Sequence, residues 1–169
     1  MGKIEFINKP NTDKEIFETL NPIVRTWFEQ KFGSFSQAQR YSLIPIRDRK
    51  NILISSPTGS GKTLSAFASI LNYLINIDEK GEIEEKVYAI YISPLKALAS
   101  DVEFNLKGPL AEMEKIAKRK FNINVAMRTG DTTSSDRQKM LKKAPNILVC
   151  TPETLAIVLT SPKFVETLR

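Results

Sequence analysis

Short apolar runs alternate with longer stripes of helical spacing along most of this 169-residue sequence. Four runs predict strands that are buried on both faces, and they lie at residues 52–54, 87–92, 123–127 and 147–150. Helices are predicted behind each run, with apolar positions at Leu64, Phe67, Leu71 and Leu74, and then from about Leu95, over 134–143 and from Thr151. Alternating strands and helices form βαβ units, so the pattern predicts an α/β domain with a mainly parallel sheet.

The first part of the chain has a helical pattern without strands. Asn21-Pro22 is a typical helix start, because Asn caps free amides and Pro fits the first helical position, and Gly33 is a natural stop. A second helix is predicted from Ser36 through Ile46. We therefore expect a helical N-terminal lead-in at residues 1–33 and the main domain at residues 34–169.

A glycine-rich segment, Ser56-Pro57-Thr58-Gly59-Ser60-Gly61-Lys62-Thr63, joins the first predicted strand to its helix. Gly59 and Gly61 allow backbone amides to surround phosphate oxygens, Lys62 can reach the β- and γ-phosphates, and the Thr63 hydroxyl can bind Mg²⁺. Ser56 stands where the common form of this motif has Gly. The alternative is a chance glycine-rich turn, but the strand-turn-helix context and the intact Gly-Lys-Thr favour a nucleoside triphosphate site.

The other three predicted strands are also followed by turns that suit phosphate. These turns are Ser93-Pro94-Leu95-Lys96, Arg128-Thr129-Gly130-Asp131 and Thr151-Pro152-Glu153. Ligands bind at the carboxyl ends of parallel strands, and free amides at a helix start bind phosphate, so the turns could follow a nucleic-acid backbone. Spacing alone leaves a second interpretation open, in which they are only good caps and turns.

Composition narrows the possible chemistry. There is no histidine and one cysteine, Cys150, which excludes Ser-His-Asp triads, Cys/His zinc sites and internal disulfides. The formal net charge is +6, with 13 basic and 8 acidic residues in 91–169, so a polyanionic partner is plausible. No apolar run is long enough to span a membrane and no signal-peptide core is present, which predicts a soluble, intracellular (cytoplasmic) protein without a membrane partner.

Taken together, these motifs resemble the first motor domain of superfamily 2 helicases. The segment 56–63 resembles motif I, 93–99 motif Ia, 128–131 the glycine-containing motif after it, and 151–153 motif Ib. Ser36-Gln37-Ala38-Gln39 resembles the Q-motif, whose glutamine reads adenine, and Gln39 is the matching position. The sequences of 91–98 and 128–132 are most similar to the large helicase-related (Lhr) family. In motif Ia, the chain departs from the Pro-Thr-Arg-Glu-Leu-Ala sequence of DEAD-box RNA helicases.

The resemblance implies a three-layer RecA-like P-loop NTPase domain that uses ATP and Mg²⁺ and binds single-stranded or forked DNA, with RNA as an alternative. It also implies 3′-to-5′ translocation and a role in DNA repair or recombination. The expected nucleotide-contacting residues are Gln39, Ser56, Thr58, Gly59, Ser60, Gly61, Lys62 and Thr63, of which Lys62 and Thr63 are also catalytic and Thr63 binds Mg²⁺. The expected nucleic-acid contacts are Pro94, Lys96, Arg128, Gly130, Thr151 and Pro152.

One departure from the family pattern concerns motif II, an Asp-Glu pair that follows motif Ib. No Asp-Glu pair occurs between Thr151 and Arg169. We therefore expect this chain to be the front part of a longer ATP-dependent enzyme, to act with a second RecA-like domain, and to be inactive by itself. The alternatives are a fragment of an RNA helicase and a non-catalytic, ATP-dependent module that binds nucleic acid.

Overall fold

The computed structural model describes residues 4–94 and 101–168. The described residues form two compact units. The first unit contains the described residues up to Tyr73 together with Leu110–Arg119, and the second contains those from Leu74 to Pro109 and from Lys120 onwards. Each unit is therefore described by itself below.

Three helices precede the glycine-rich segment in the first unit, and the starts of the second and third follow the predicted capping chemistry. They are α1 (Asp13–Phe17), α2 (Pro22–Lys31) and α3 (Gln37–Arg47). The Asn21 side chain accepts a hydrogen bond from the amide of Ile23, and Ser36 caps α3 in the same way. The predicted helix starts at Asn21-Pro22 and at Ser36 are therefore confirmed.

The helices of this unit pack around aromatic rings. The Phe28 and Phe35 rings stack with centroids 4.2 Å apart, and Phe17 lies 4.7 Å from Phe35. Trp27 is 3% exposed, and its indole N–H donates to a carboxylate oxygen of Glu112 at 2.5 Å. Lys31 donates to both oxygens of Glu112 at 2.7 Å, and these bonds keep the pKa of the carboxyl below its usual range. Trp27 is thus a core residue.

The second unit contains a sheet of three described strands, all parallel. They are β1 (Ala89–Ile92), β2 (Val125–Arg128) and β3 (Ile147–Cys150), in the spatial order β1-β3-β2. Every residue of β3 is buried, as expected for a central strand that is covered on both faces. The predicted α/β class and parallel sheet are confirmed.

The remaining helices lie before, between and after the three strands. They are α4 (Lys62–Glu79), α5 (Gly108–Ala117), α6 (Ser134–Lys142), α7 (Pro152–Leu159) and α8 (Pro162–Val165), with a π-helical segment at Glu103–Lys107 and a 3-10 turn at Glu166–Leu168. Val158 and Phe164 pack with Leu148 and Cys150 in a buried cluster on one face of the sheet. The start of the helix predicted from Leu95 lies outside the described residues, and none of the described helices is long and apolar enough to cross a membrane.

The strand predicted at Ile52-Leu53-Ile54 is not formed. Residues 51–57 carry no regular secondary structure, and Leu53 is 94% exposed. A strand needs a hydrogen-bonded neighbour as well as apolar side chains, and none of the three described strands pairs with this segment. The prediction was wrong because the apolar run indicates burial but does not supply a pairing partner.

Asn146, immediately before β3, ties together the segments that lead into all three strands. Its side-chain amide donates to the carbonyls of Glu84 and Lys86, and its side-chain oxygen accepts from the amide of Asn124 at 2.8 Å. Its own carbonyl accepts from the amides of Tyr88 and Ala89. Asn146 is 2% exposed, so these polar groups have little access to water.

We expect Asn146→Ala to lower the free energy of unfolding by roughly 3 kcal/mol, because it leaves several buried backbone groups without a partner. Urea denaturation followed by circular dichroism measures this loss. Asn122→Ala is the matched control, since the exposed Asn122 side chain undergoes the same chemical change. Equal stability of the two variants would contradict the role given to Asn146.

Candidate nucleotide and nucleic-acid sites

The glycine-rich segment forms a tight turn that leads directly into α4. Turn and bend conformations occupy residues 58–61, and the helix begins at Lys62. Gly59 and Gly61 have φ angles of +79° and +86°, which side chains with a Cβ rarely adopt. The loop therefore has the backbone conformation that requires glycine at the two positions singled out by the sequence.

The Lys62 ammonium group folds back over this loop. Its Nζ donates to the carbonyl of Ser56 and to that of Pro57, at 2.7 Å for Pro57, and lies 3.5 Å from the Ser60 Oγ. The hydroxyls of Ser56 and Ser60 are 2.6 Å apart and share a hydrogen bond. The loop thus brings Lys62, Ser56 and Ser60 together, with the charge of Lys62 facing carbonyl oxygens of the loop.

The start of α3 packs against the same loop. The Ser36 hydroxyl donates to the Ser60 carbonyl at 2.6 Å, and the Gln39 side-chain oxygen accepts from the Ser36 amide at 2.8 Å. Gln39 is 5% exposed, and its Nε2 lies so close to Gly61 that a Cβ at Gly61 would be 2.6 Å away. The predicted adenine-reading residue therefore lies beside the predicted phosphate loop, with its oxygen used to cap α3.

Two further loop residues bear on metal and phosphate binding. Thr58 is exposed and Thr63 is half-buried in the first turn of α4. Among the described residues, no group of three or more His, Cys, Asp or Glu side chains could hold a metal ion. The residues present fit Mg²⁺ only as a companion of bound phosphate, because the Thr63 hydroxyl is a single oxygen ligand.

In the second unit, the three strands end at the same level. Ile92 of β1 and Arg128 of β2 are both register partners of Cys150 in β3. The three turns that follow the strands consequently start from one edge of the sheet, as the carboxyl ends of parallel strands must. This register supports the prediction that Pro94, Gly130, Thr151 and Pro152 belong to one surface.

The side chains at this edge differ in exposure. Pro94, Gly130 and Pro152 are exposed, whereas Thr151 is 6% exposed and caps α7 by accepting from the amide of Thr154. The Ser93 amide donates to the Cys150 carbonyl at 3.2 Å. Lys96 lies outside the described residues. Main-chain groups and proline rings, more than the Thr151 hydroxyl, are thus available to a ligand.

Arg128 is the most buried charged residue of this edge. It is 9% exposed, and its guanidinium lies 5.3 Å from the centroid of the Phe164 ring. Burial, and secondarily the positive charge of Arg137, lower the pKa of Arg128. Arg137 of α6 was missed by the sequence analysis. It donates to the Gly130 carbonyl at 3.0 Å, and its place one turn after the Thr133 cap of α6 could have indicated that it points back to this turn.

A glycine-rich loop that starts a helix, together with a parallel sheet and aligned strand-end turns, defines the chain as an α/β domain of the RecA-like class. A family model described as DEAD/DEAH box helicase matches residues 36–169. The chain belongs to the DEAD/DEAH box helicase family.

The chain is similar to several Lhr-type helicases. It is 49% identical over 99% of its length to the ATP-dependent helicase Lhr-Core of Methanocaldococcus jannaschii, and it covers 20% of that protein. It is 50% identical to ATP-dependent helicase Lhr-Core protein 2 of Thermococcus barophilus, with 98% of this chain and 20% of the relative covered. The sequence-based resemblance to superfamily 2 helicases and the Lhr family is confirmed, and the chain spans about a fifth of these relatives.

A solved structure of helicase Lhr from Mycobacterium smegmatis, bound to single-stranded DNA and AMP-PNP, matches with a TM-score of 0.78 and 35% identity. The match covers 90% of this chain and 19% of the other chain. The predicted RecA-like fold class is therefore confirmed by a structural relative as well as by the sheet itself.

We expect Gly61→Ala to destabilise the chain more than Gly59→Ala. Both variants place a Cβ at a positive φ, a strain of roughly 1–2 kcal/mol. Only the Cβ at position 61 meets other atoms, namely Gln39 and Ser36, while nothing lies within 4 Å of the Cβ at position 59. Urea denaturation of both variants measures the difference.

The same comparison in a Gln39→Ala background isolates the contact between Gly61 and Gln39. In that background, Gly61→Ala should lower the free energy of unfolding by an amount closer to that of Gly59→Ala, because the side chain that the new Cβ displaces is already absent. If the difference in unfolding free energy between Gly61→Ala and Gly59→Ala is unchanged in this background, Gln39 is not the neighbour that requires glycine at position 61.

Proposed function

We propose that this chain is the ATP- and nucleic-acid-binding portion of an ATP-dependent, 3′-to-5′ DNA helicase. The observation that carries the proposal is the glycine-rich loop at residues 56–63, which has two positive-φ glycines, places Lys62 over its own carbonyls and brings Gly61 against Gln39. The relatives named ATP-dependent helicases and the relative solved with AMP-PNP and single-stranded DNA support the same proposal.

The loop residues account for binding of the triphosphate. In this proposal Lys62 leaves the carbonyls of Ser56 and Pro57 and donates to the phosphates, while the loop amides surround the phosphate oxygens. Thr63 would hold Mg²⁺, which neutralises phosphate charge when it is bound. Gln39 would face the adenine with its amide. Thr58 is exposed and free to contact phosphate oxygens with its hydroxyl.

The edge of the sheet accounts for nucleic-acid binding. The turns that carry Pro94, Arg128, Gly130, Thr151 and Pro152 start from aligned strand ends. They offer main-chain groups and positive charge, which bind phosphates and position a strand without reading its bases. We include Lys96 in this surface on sequence grounds, and we propose DNA as the strand that lies on it.

Hydrolysis and unwinding are proposed for the whole protein and not for these residues alone. Phosphoryl transfer in P-loop NTPases needs an oriented water, an acidic residue on the metal ion and an arginine finger, in addition to the loop. Lys62 and Thr63 supply only the loop side of that arrangement. We propose that a motif II carboxylate pair and a second RecA-like domain of the parent protein supply the rest.

Replacing Lys62 tests the phosphate loop. We expect Lys62→Ala to weaken ATP binding by roughly ten- to a hundredfold, because one charge-assisted contact contributes about 1.5–3 kcal/mol. Isothermal titration calorimetry is the suitable measurement, since Lys62 also bonds to the loop itself and a thermal shift would mix both effects. Lys50→Ala, at an exposed lysine, is the control. Unchanged ATP affinity in Lys62→Ala would remove the assignment.

Replacing Gln39 tests adenine recognition. Gln39→Glu keeps the acceptor that caps α3 but removes the side-chain N–H donor, because Glu forms the same capping box. We expect this variant to keep its fold and to lose several-fold of its preference for ATP over GTP in competition titrations. A preference that stays the same in a folded variant would contradict an adenine-reading role.

Nucleic-acid binding should depend strongly on salt and weakly on sequence. We expect high-micromolar or weaker affinity for single strands, with a slope of log K against log salt near −0.7 for each phosphate contacted. Fluorescence anisotropy with dT, dA and matching RNA oligonucleotides measures affinity, sequence dependence and the preference for DNA. Tight, salt-insensitive binding to one sequence would contradict this proposal, and tighter binding of RNA would favour the RNA helicase alternative.

A further inference from the structure

Arg128 has a buried positive charge for which the described residues provide no anionic partner. The residue is 9% exposed, and its guanidinium contacts the face of the Phe164 ring. No hydrogen bond or ion pair joins that guanidinium to another described residue. Buried charges in proteins are normally paired, because loss of hydration is compensated only by an opposite charge or by hydrogen bonds. The ring of Phe164 supplies a cation–π contact but no acceptor for the N–H groups.

Arg137 brings a second guanidinium to the same place. Its Nη2 donates to the Gly130 carbonyl at 3.0 Å, two residues beyond Arg128 in the chain. Its Nε is buried and has no hydrogen-bond acceptor among the described residues. The two arginines are close enough for the charge of Arg137 to add to burial in lowering the pKa of Arg128.

The acidic residue of α6 does not neutralise this pair. The Asp136 carboxylate accepts from Lys139 at 2.9 Å and from the Thr133 hydroxyl at 2.8 Å. Burial, and after it the charge of Arg137, lower the pKa of Arg128, and the only opposing effect is a smaller one from Cys150. Two arginines thus lie beside the turn that follows β2, and the buried Nε of Arg137 has no acceptor within the described chain.

We infer that Arg128 and Arg137 together form a binding site for one phosphate group of a nucleic-acid backbone, with Arg137 as the second cation. Guanidinium N–H groups suit phosphate oxygens because they form parallel, charge-assisted hydrogen bonds. A phosphate would satisfy the buried Nε of Arg137 and relieve the repulsion between the two side chains. The inference rests on the proposed function, since it assumes that a strand lies along the turns at the ends of β1, β2 and β3.

The test compares Arg137→Gln with Lys142→Gln. Both substitutions remove one positive charge from α6, but Lys142 is exposed at the far end of the helix. Binding of a fluorescein-labelled dT oligonucleotide is measured by anisotropy over a range of salt concentrations. We expect Arg137→Gln to weaken binding about tenfold and to make the salt slope shallower by about 0.7, the amount for one lost phosphate contact. Lys142→Gln should leave the slope unchanged.

Thermal unfolding without nucleic acid separates a phosphate site from a purely structural role. We expect Arg137→Gln to unfold at the same or a higher temperature than the wild type, because it removes like-charge repulsion. Inorganic phosphate should raise the unfolding temperature of the wild type more than that of the variant. A fall of the unfolding temperature together with an unchanged salt slope would overturn the inference and leave Arg137 as a support for the Gly130 turn.

Arg137→Lys keeps the test decisive if the glutamine variant does not fold. The variant retains the positive charge but loses the planar guanidinium group. We therefore expect the slope of log K against log salt to stay the same and the affinity for the oligonucleotide to fall several-fold. Unchanged affinity would overturn the inference. If the wild type binds the oligonucleotide and Arg137→Gln behaves like Lys142→Gln, only this inference fails. If the wild type binds no oligonucleotide, the proposed nucleic-acid function fails and the inference fails with it.

Discussion

The common level at which the three described strands end is the constraint on which the proposed nucleic-acid surface depends. Ile92 and Arg128 are both aligned with Cys150, so every turn that follows a strand begins from the same edge. Asn146 maintains this alignment from the opposite end, because its side chain binds the segments that lead into β1 and β2. A shift of one residue in this register would exchange the buried and exposed faces of an outer strand and separate the turns.

A second constraint acts at the phosphate loop, where one side chain serves both secondary structure and the site. Gln39 caps α3 through its oxygen, and its nitrogen lies against Gly61. Ser36 likewise caps α3 and donates to the Ser60 carbonyl. The start of α3 and the loop therefore share the same hydrogen bonds, so a change in loop conformation must alter the cap of α3. A nucleotide bound as proposed would therefore act directly on the start of α3.

Local chemistry decided which features could be predicted from the sequence. The starts of α2, α3 and α7 follow from Asn21, Ser36 and Thr151, because a cap forms with amides only two or three residues away. The turn at the glycine-rich loop was predictable from Gly59 and Gly61, which both have positive φ angles. The segment 52–54 was predicted wrongly because pairing depends on a distant partner. The bond from Trp27 to Glu112 crosses 85 residues, and no local pattern indicates it.

Several of the predicted binding groups already have partners inside the protein, and this affects the strength of any complex. Lys62 donates to loop carbonyls, Thr151 caps α7 and the Gln39 oxygen caps α3. A ligand that recruits these groups must replace existing hydrogen bonds, so its affinity reflects the difference between the new bonds and the lost ones. Groups whose internal partners are weak or missing contribute most to such a difference. On this reasoning, the buried Nε–H of Arg137, which has no acceptor among the described residues, favours binding of an anion more than Thr151 does, because the Thr151 hydroxyl already caps α7.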